Sequence, residues 1–222
     1  EDAQPQEAQA QDVLLSDTFT RQTSKGWGSA DFGGNWSAAY GVSRISVDGS
    51  AGVLTMTGAG TSNSLSSPII DATSTDSRVD FVLEQATTGP GAYVSYIGRA
   101  NESGSYQLGF HVALDGAVTM TVSKKVGGVE TPLGSSRLNG SYSAGQKLHV
   151  RFVVNGAEST KLQAKAWIGD GDEPEGWGVD VTDDDAALAA PGSVGFGTFT
   201  SGKADGSPLT LRVDDLTVRR VA

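Results

Sequence analysis

Between residues 106 and 137 the chain alternates apolar and polar side chains in three consecutive runs, 106–114, 118–126 and 130–137, broken at Asp115-Gly116 and Gly127-Gly128. A period of two puts every second side chain on one face, which a strand does and a helix does not. Glycine pairs supply the positive φ that tight reversals need. Three antiparallel strands in a meander are therefore expected, with Asp115-Gly116 the strongest local hairpin signal. The same pattern recurs at 41–47, 52–57, 64–70, 78–85, 92–99, 147–155, 161–168, 192–199 and 209–219. Its punctuation includes Asp48-Gly49, Gly89-Pro90-Gly91, Ser103-Gly104, Asn155-Gly156 and Asp205-Gly206. The one helix-like stretch is 182–190, where acids precede an Ala-rich body that ends at Pro191-Gly192. Many short strands without strand–helix alternation predict an all-β fold, a sandwich or barrel, with at most one short helix near 182–190.

At 222 residues the chain fits one large β domain, and its 30 glycines suit many turns. The net charge of −10 repels a polyanion, so a nucleic-acid partner is not expected. Lys124-Lys125 and Arg219-Arg220 read as solvated strand ends. There is no Cys, which removes disulfides, thiolate metal sites and Cys nucleophiles and is compatible with export. No apolar run approaches the ~20 residues that span a bilayer, so membrane insertion is not expected. Residues 1–12, EDAQPQEAQAQD, bury too little to offset ordering and read as a disordered acidic leader. The ordered domain is expected over 13–222.

Several segments carry a resemblance. Leu15-Ser16-Asp17-Thr18-Phe19-Thr20-Arg21 precedes Gly26-Trp27-Gly28-Ser29-Ala30-Asp31 and Gly33-Gly34-Asn35-Trp36. Later come Leu162-Gln163-Ala164-Lys165-Ala166-Trp167, Glu173-Pro174-Glu175-Gly176-Trp177, Gly192-Ser193-Val194-Gly195-Phe196 and Val213-Asp214-Asp215-Leu216-Thr217-Val218. In this order, over almost the whole chain, they resemble concanavalin A-like (laminin-G-like) jelly-roll domains of actinobacterial secreted proteins and actinophage tail proteins. The resemblance implies a two-sheet antiparallel sandwich, adjacent first and last strands, and a secreted or cell-surface location. It also implies a structural calcium ion at the seam, held by Asp17, the Gly52 carbonyl and Asp215, with Asp214 the adjacent option. Calcium takes such mixed oxygen donors. The alternative at these positions is that Asp17 caps a turn and Asp214-Asp215 marks a bulge.

The superfold carries lectins, enzymes, adhesins and spacers, so activity rests on the site. The Glu-x-Asp-x-x-Glu strand of laminarinase-type glucanases is absent. Gln107-Leu108-Gly109-Phe110-His111 only loosely resembles one element of alginate-lyase-like members. No Gly-x-Ser-x-Gly elbow and no phosphate-binding glycine loop occurs. Alternation turns Tyr106, Leu108, Phe110 and Val112 inward with Leu148, Val150, Phe152 and Val154, and with Leu162, Ala164, Ala166 and Ile168. It turns Gln107, His111, His149, Arg151, Gln163, Lys165 and Trp167 outward. Tyr93, Ser95 and Arg99 share a face. The candidate ligand residues are Arg99, Gln107, His111, Arg151, Gln163, Lys165 and Trp167: an aromatic to stack a pyranose and polar groups to bond its hydroxyls. Such a face is also simply what water covers. Trp27, Trp36 and Trp177 are expected to pin loops to the sandwich. The expected function is a non-catalytic extracellular module binding a glycan, carbohydrate-binding or adhesin-like. The alternatives are a ligand-free spacer and a polysaccharide-degrading enzyme.

Overall fold

The computed structural model describes residues 12–221. The expected leader, Asp12 apart, lies outside the described residues. The strands in order are β1 (Val13–Asp17), β2 (Gln22–Thr23), β3 (Ser37–Tyr40), β4 (Ile45–Asp48), β5 (Gly52–Met56), β6 (Ser62–Ser66), β7 (Ser74–Leu83) and β8 (Ala92–Asn101). Then come β9 (Gly104–Val112), β10 (Val118–Val126), β11 (Val129–Arg137), β12 (Leu148–Asn155), β13 (Thr160–Ile168), β14 (Val179–Asp183), β15 (Ser193–Thr200) and β16 (Leu209–Arg220).

They form two antiparallel sheets. The first runs β14-β13-β12-β7-β16-β5-β4-β2, with β1 also on β16; the second runs β11-β10-β9-β8-β15-β6-β3. The chain crosses repeatedly between them, as a jelly roll does. Strand β16 spans the first sheet's seam: Leu209 to Val213 pair with β5, and Leu216 to Arg219 pair with β1. First and last strands are thus neighbours, as expected. The inward faces meet in one core, where Tyr96, Phe110, Phe152, Phe196 and Leu211 are almost wholly buried. Phe81 sits edge-on to Phe110 and Phe196, at 5.9 and 6.0 Å. Edge-to-face packing adds about 0.5–1.5 kcal/mol per pair beyond area burial.

The meander forms, but its two turns differ from one another. Gly127-Gly128 is the two-residue reversal: Val126 pairs with Val129, and both glycines have positive φ, as type I′ requires. Asp115-Gly116 instead sits in a five-residue loop held from outside. The Tyr142 N–H donates to the Gly116 carbonyl, and the Ser141 hydroxyl donates to that of Asp115. The stretch 182–190 is not an α-helix. Its start belongs to β14, paired with β13 as far as Asp183. Only a 3-10 turn, Ala186–Leu188, follows, with the Asp185 carboxylate accepting from the Ala187 N–H. Burial of Leu188 at 0% exposure holds the turn down. Trp27 and Trp36 do pin the 18–36 loop, packing at 5.1 Å on each other and at 5.2 and 5.7 Å on Phe196. Among the described residues no helix is long and apolar enough to cross a membrane.

Candidate functional site

The outer face of the second sheet carries a cleft of about 570 Å³, lined by Tyr93, Ser95, Gly109, His111, Thr121 and Phe199, with Lys125 and Glu130 at one side. Register explains its shape. Ser95 pairs with Gly109 and Gly197, and Gly109 pairs with Thr121, so the floor holds only short side chains. The next outward row aligns Phe199, Tyr93 and His111 into a wall. Tyr93 and His111 stack at 4.7 Å and 24°, and Phe199 lies 6.1 Å from Tyr93. Tyr93 is 39% and Phe199 46% exposed, so two large aromatic surfaces are left to solvent side by side. On the other side of the floor the next outward row holds Ile97 and Gln107, which pair across β8 and β9.

The turn 89–91 orients His111. Its Nε2 is 2.7 Å from the Pro90 carbonyl oxygen. A carbonyl only accepts, so Nε2 carries a proton, and in the neutral ring Nδ1 is left as an acceptor. Gly91, at φ +95°, is required there, because a Cβ would run into the Val112 carbonyl and the His111 ring. Glu130 is tethered by the Ser123 hydroxyl, which donates to it at 2.8 Å. The cleft thus offers an aromatic ledge, hydroxyls and one charge of each sign, on a rigid sheet.

The sequence-derived ligand residues do not share one surface. Gln107 and His111 are on this face. Arg151, Gln163, Lys165 and Trp167 are on the outer face of the first sheet, across the core. Arg99 is on neither. A register shift between Ile97 and Arg99 leaves Gly98 as the extra residue and turns Arg99 inward, 2% exposed. Its guanidinium donates to the carbonyls of Thr73, Gly156 and Leu188 and to the Thr160 hydroxyl, and it lies over the Tyr106 ring. Arg99 is a structural clamp at the sandwich end. Phe199 was missed by the sequence reading, although the alternation of 192–199 turns it outward.

The first sheet's outer face is occupied by its own chain. Arg151 grips Asp76 through two nitrogens and reaches Glu173 at 3.0 Å. Lys165, 7% exposed, bonds Glu173 at 2.7 Å and donates to the Pro174 carbonyl. Trp177 covers both cations, at 5.2 and 4.8 Å. Gln163 donates to Asp180. Trp167 stacks on His149, whose Nδ1 is 2.6 Å from Asp80. Burial opposes a charge on Glu173. Bonds from Arg78, Lys165 and Arg151 outweigh it and bring its pKa down to about 2. Arg151 and Lys165 thus lash the Glu173–Trp177 segment to the sheet, and their charges are engaged within the chain.

The donor set proposed for calcium does not fit. Asp17 is fully buried, and its carboxylate is already saturated. Arg21 donates to both oxygens, at 2.7 and 2.8 Å, the Phe19 N–H to Oδ1, and the Trp36 indole N–H to Oδ2. A guanidinium stands where the cation was expected. Gly52 is explained by packing, since a Cβ would lie 2.6 Å from the Trp27 ring. Asp215, 62% exposed and at φ 51°, sits in the bulge of β16 beside Lys147. The turn-cap and bulge reading of these acids is the one the geometry supports. Among the described residues no three His, Asp or Glu side chains are grouped to hold a metal.

No family model and no curated protein matches the chain. Solved structures do resemble it. Alginate lyase Aly36B, in a complex with alginate trisaccharide, superposes with a TM-score of 0.66 at 16% identity over 95% of this chain and 99% of that one. A legume lectin-like domain from Entamoeba histolytica gives 0.57 at 16%, over 85% and 91%. The carbohydrate-binding module CBM66 from Bacillus subtilis gives 0.53 at 14%, over 83% and 94%. These likenesses show the fold, a lectin-type jelly roll.

Proposed function

We propose that this chain is a non-catalytic, extracellular carbohydrate-binding module whose ligand lies in the cleft on the second sheet. The observation that carries this reading is the solvent-facing ledge of Tyr93, His111 and Phe199 beside a floor of short side chains. A pyranose presents C–H groups on its ring faces and hydroxyls on its rim. Flat aromatic surface answers the first; the Nδ1 of His111, the Gln107 amide and the Ser95 and Thr121 hydroxyls answer the second. The wall is polar enough to stay soluble and apolar enough to gain by being covered. The solved carbohydrate-binding module and lectin-like domain of the same fold are compatible with this use of the scaffold.

Affinity electrophoresis through gels cast with soluble polysaccharides tests the reading. One or more glycans should retard the wild-type protein. Tyr93→Ala and Phe199→Ala should each weaken retention by about tenfold, ~1.4 kcal/mol. Both should keep their thermal midpoint, because partly exposed side chains away from the core shift stability by only ~0.5 kcal/mol. Retention unchanged in both variants refutes the site. Release of reducing ends or of unsaturated sugar from a retarding glycan refutes the non-catalytic assignment.

A further inference from the structure

We infer that the ligand is an uncharged, linear polysaccharide gripped along the interior of its chain; this rests on the cleft's being the glycan site. The molecule's paired charge lies away from the cleft. The first sheet's outer face is laced with ion pairs, among them Arg78–Glu173, Arg151–Asp76, Lys165–Glu173 and Lys147–Asp80. The cleft has one lysine, Lys125, on the position paired with Glu130, so their formal charges cancel. The aromatic row continues through Thr119 to Arg137 at the β11 edge, and the Ile97–Gln107 row through Ser123 to Pro132. None of these rows holds a cluster of cations to match the repeated carboxylates or sulfates of an anionic polymer. A molecule of net charge −10 also repels such a polymer at a distance.

The shape of the surface suits an extended ligand. Beyond the cleft proper the floor continues through Gly197 to Ser64 at one side and through Thr121 to Ser135 at the other. Every residue of this row from Ser64 to Ser135 is Gly, Ser or Thr. Five inter-strand steps of ~4.8 Å make a track of roughly 24 Å, longer than any single sugar. Tyr40, 68% exposed, is in register with Ser64 and extends the track on β3. Recognition of a chain end needs a wall across the track, and between Ser64 and Ser135 no residue of the row is large enough to form one.

The floor glycines fit this account. Neither Gly109 nor Gly197 has positive φ, and a Cβ on either would meet nothing nearer than 3.8 Å. Backbone conformation and packing therefore leave glycine unexplained at two mid-strand positions where it weakens a sheet. Close approach of a ligand to the backbone is a reason for glycine in a strand.

Calorimetric titration with cello-, xylo-, manno- and laminari-oligosaccharides, from mono- to hexasaccharide, tests this beside oligouronates of equal length. At least one neutral series should bind, with affinity rising from mono- to tetrasaccharide and unaffected by added salt. Gly109→Val fills the floor and suits a strand, so it should fold with an equal or higher thermal midpoint and lose about tenfold in tetrasaccharide affinity. Salt-sensitive binding of oligouronates alone overturns the uncharged assignment and leaves glycan binding standing. Equal affinity for mono- and hexasaccharide overturns interior recognition. Undiminished binding by a folded Gly109→Val overturns the track. Absence of binding to either class, on titration and in the polysaccharide gels, overturns the function proposed above together with this inference.

Discussion

Replacing Arg21 by Met isolates the pair that stands where a calcium ion was expected. The substitution removes two charge-assisted bonds to Asp17 and a third to the Trp27 carbonyl. Asp17 remains fully buried, with only the Phe19 N–H and the Trp36 indole as donors. Breaking a buried ion pair on one side costs ~3–5 kcal/mol, and the lower end applies because the Arg21 side chain is 23% exposed. For a domain of this size each kcal/mol moves the midpoint by about 2–4 °C, so a fall of about 6–12 °C is expected. Differential scanning calorimetry reads it directly. The double variant Asp17→Asn/Arg21→Met should lose less than the sum of the single changes, because no charge is then stranded. Calcium is the control. A site saturated a hundredfold above its Kd stabilises by about 2.7 kcal/mol, which would raise the midpoint by roughly 5–11 °C. Wild-type protein should melt at the same temperature in calcium and in chelator. A calcium-dependent rise of that size, or an Arg21→Met midpoint within a degree of wild type, refutes the reasoning.

Two further outcomes follow from the other buried and paired charges. The folded pKa of Glu173 lies below the usual 4.5, so its contribution is complete above that pH and is lost as the pH falls towards about 2. Residues 169–178 should therefore resist proteolysis at neutral pH and lose protection in strong acid, while Glu173→Gln should leave them sensitive at neutral pH. Arg99→Met strands several buried acceptors at ~1–3 kcal/mol each and should destabilise the domain by at least ~3 kcal/mol in a denaturant melt. Glycan affinity measured well below its midpoint should stay at the wild-type level.

Alternation is a local property, and it made much of this molecule readable. It located most strands and assigned Tyr106, Phe110, Val150 and Phe152 to the core, where all four are buried. It also turned Gln107, His111, Arg151 and Trp167 outward. Alternation states which side of its own strand a residue takes. Whether two outward residues share a surface depends on which sheet each strand joins, and hydrogen bonds between segments distant in the chain decide that. Thus Arg151 and Trp167 belong to the salt-bridged face and His111 to the cleft, although all obey one rule. Arg99 was misread because one extra residue, Gly98, slips the phase, and no propensity marks such a slip. The aromatic ledge exists only where β8, β9 and β15 run side by side, bringing together residues as distant as Tyr93 and Phe199. Pairing also decided the fate of Asp17: four residues from Arg21 in sequence, it becomes saturated only when the loop carrying Trp36 closes over it. Sequence by itself determined the strands and their two-faced character, because those arise from neighbours along the chain. The tertiary structure alone decided the site, because a binding surface is a relation among side chains that only folding makes adjacent.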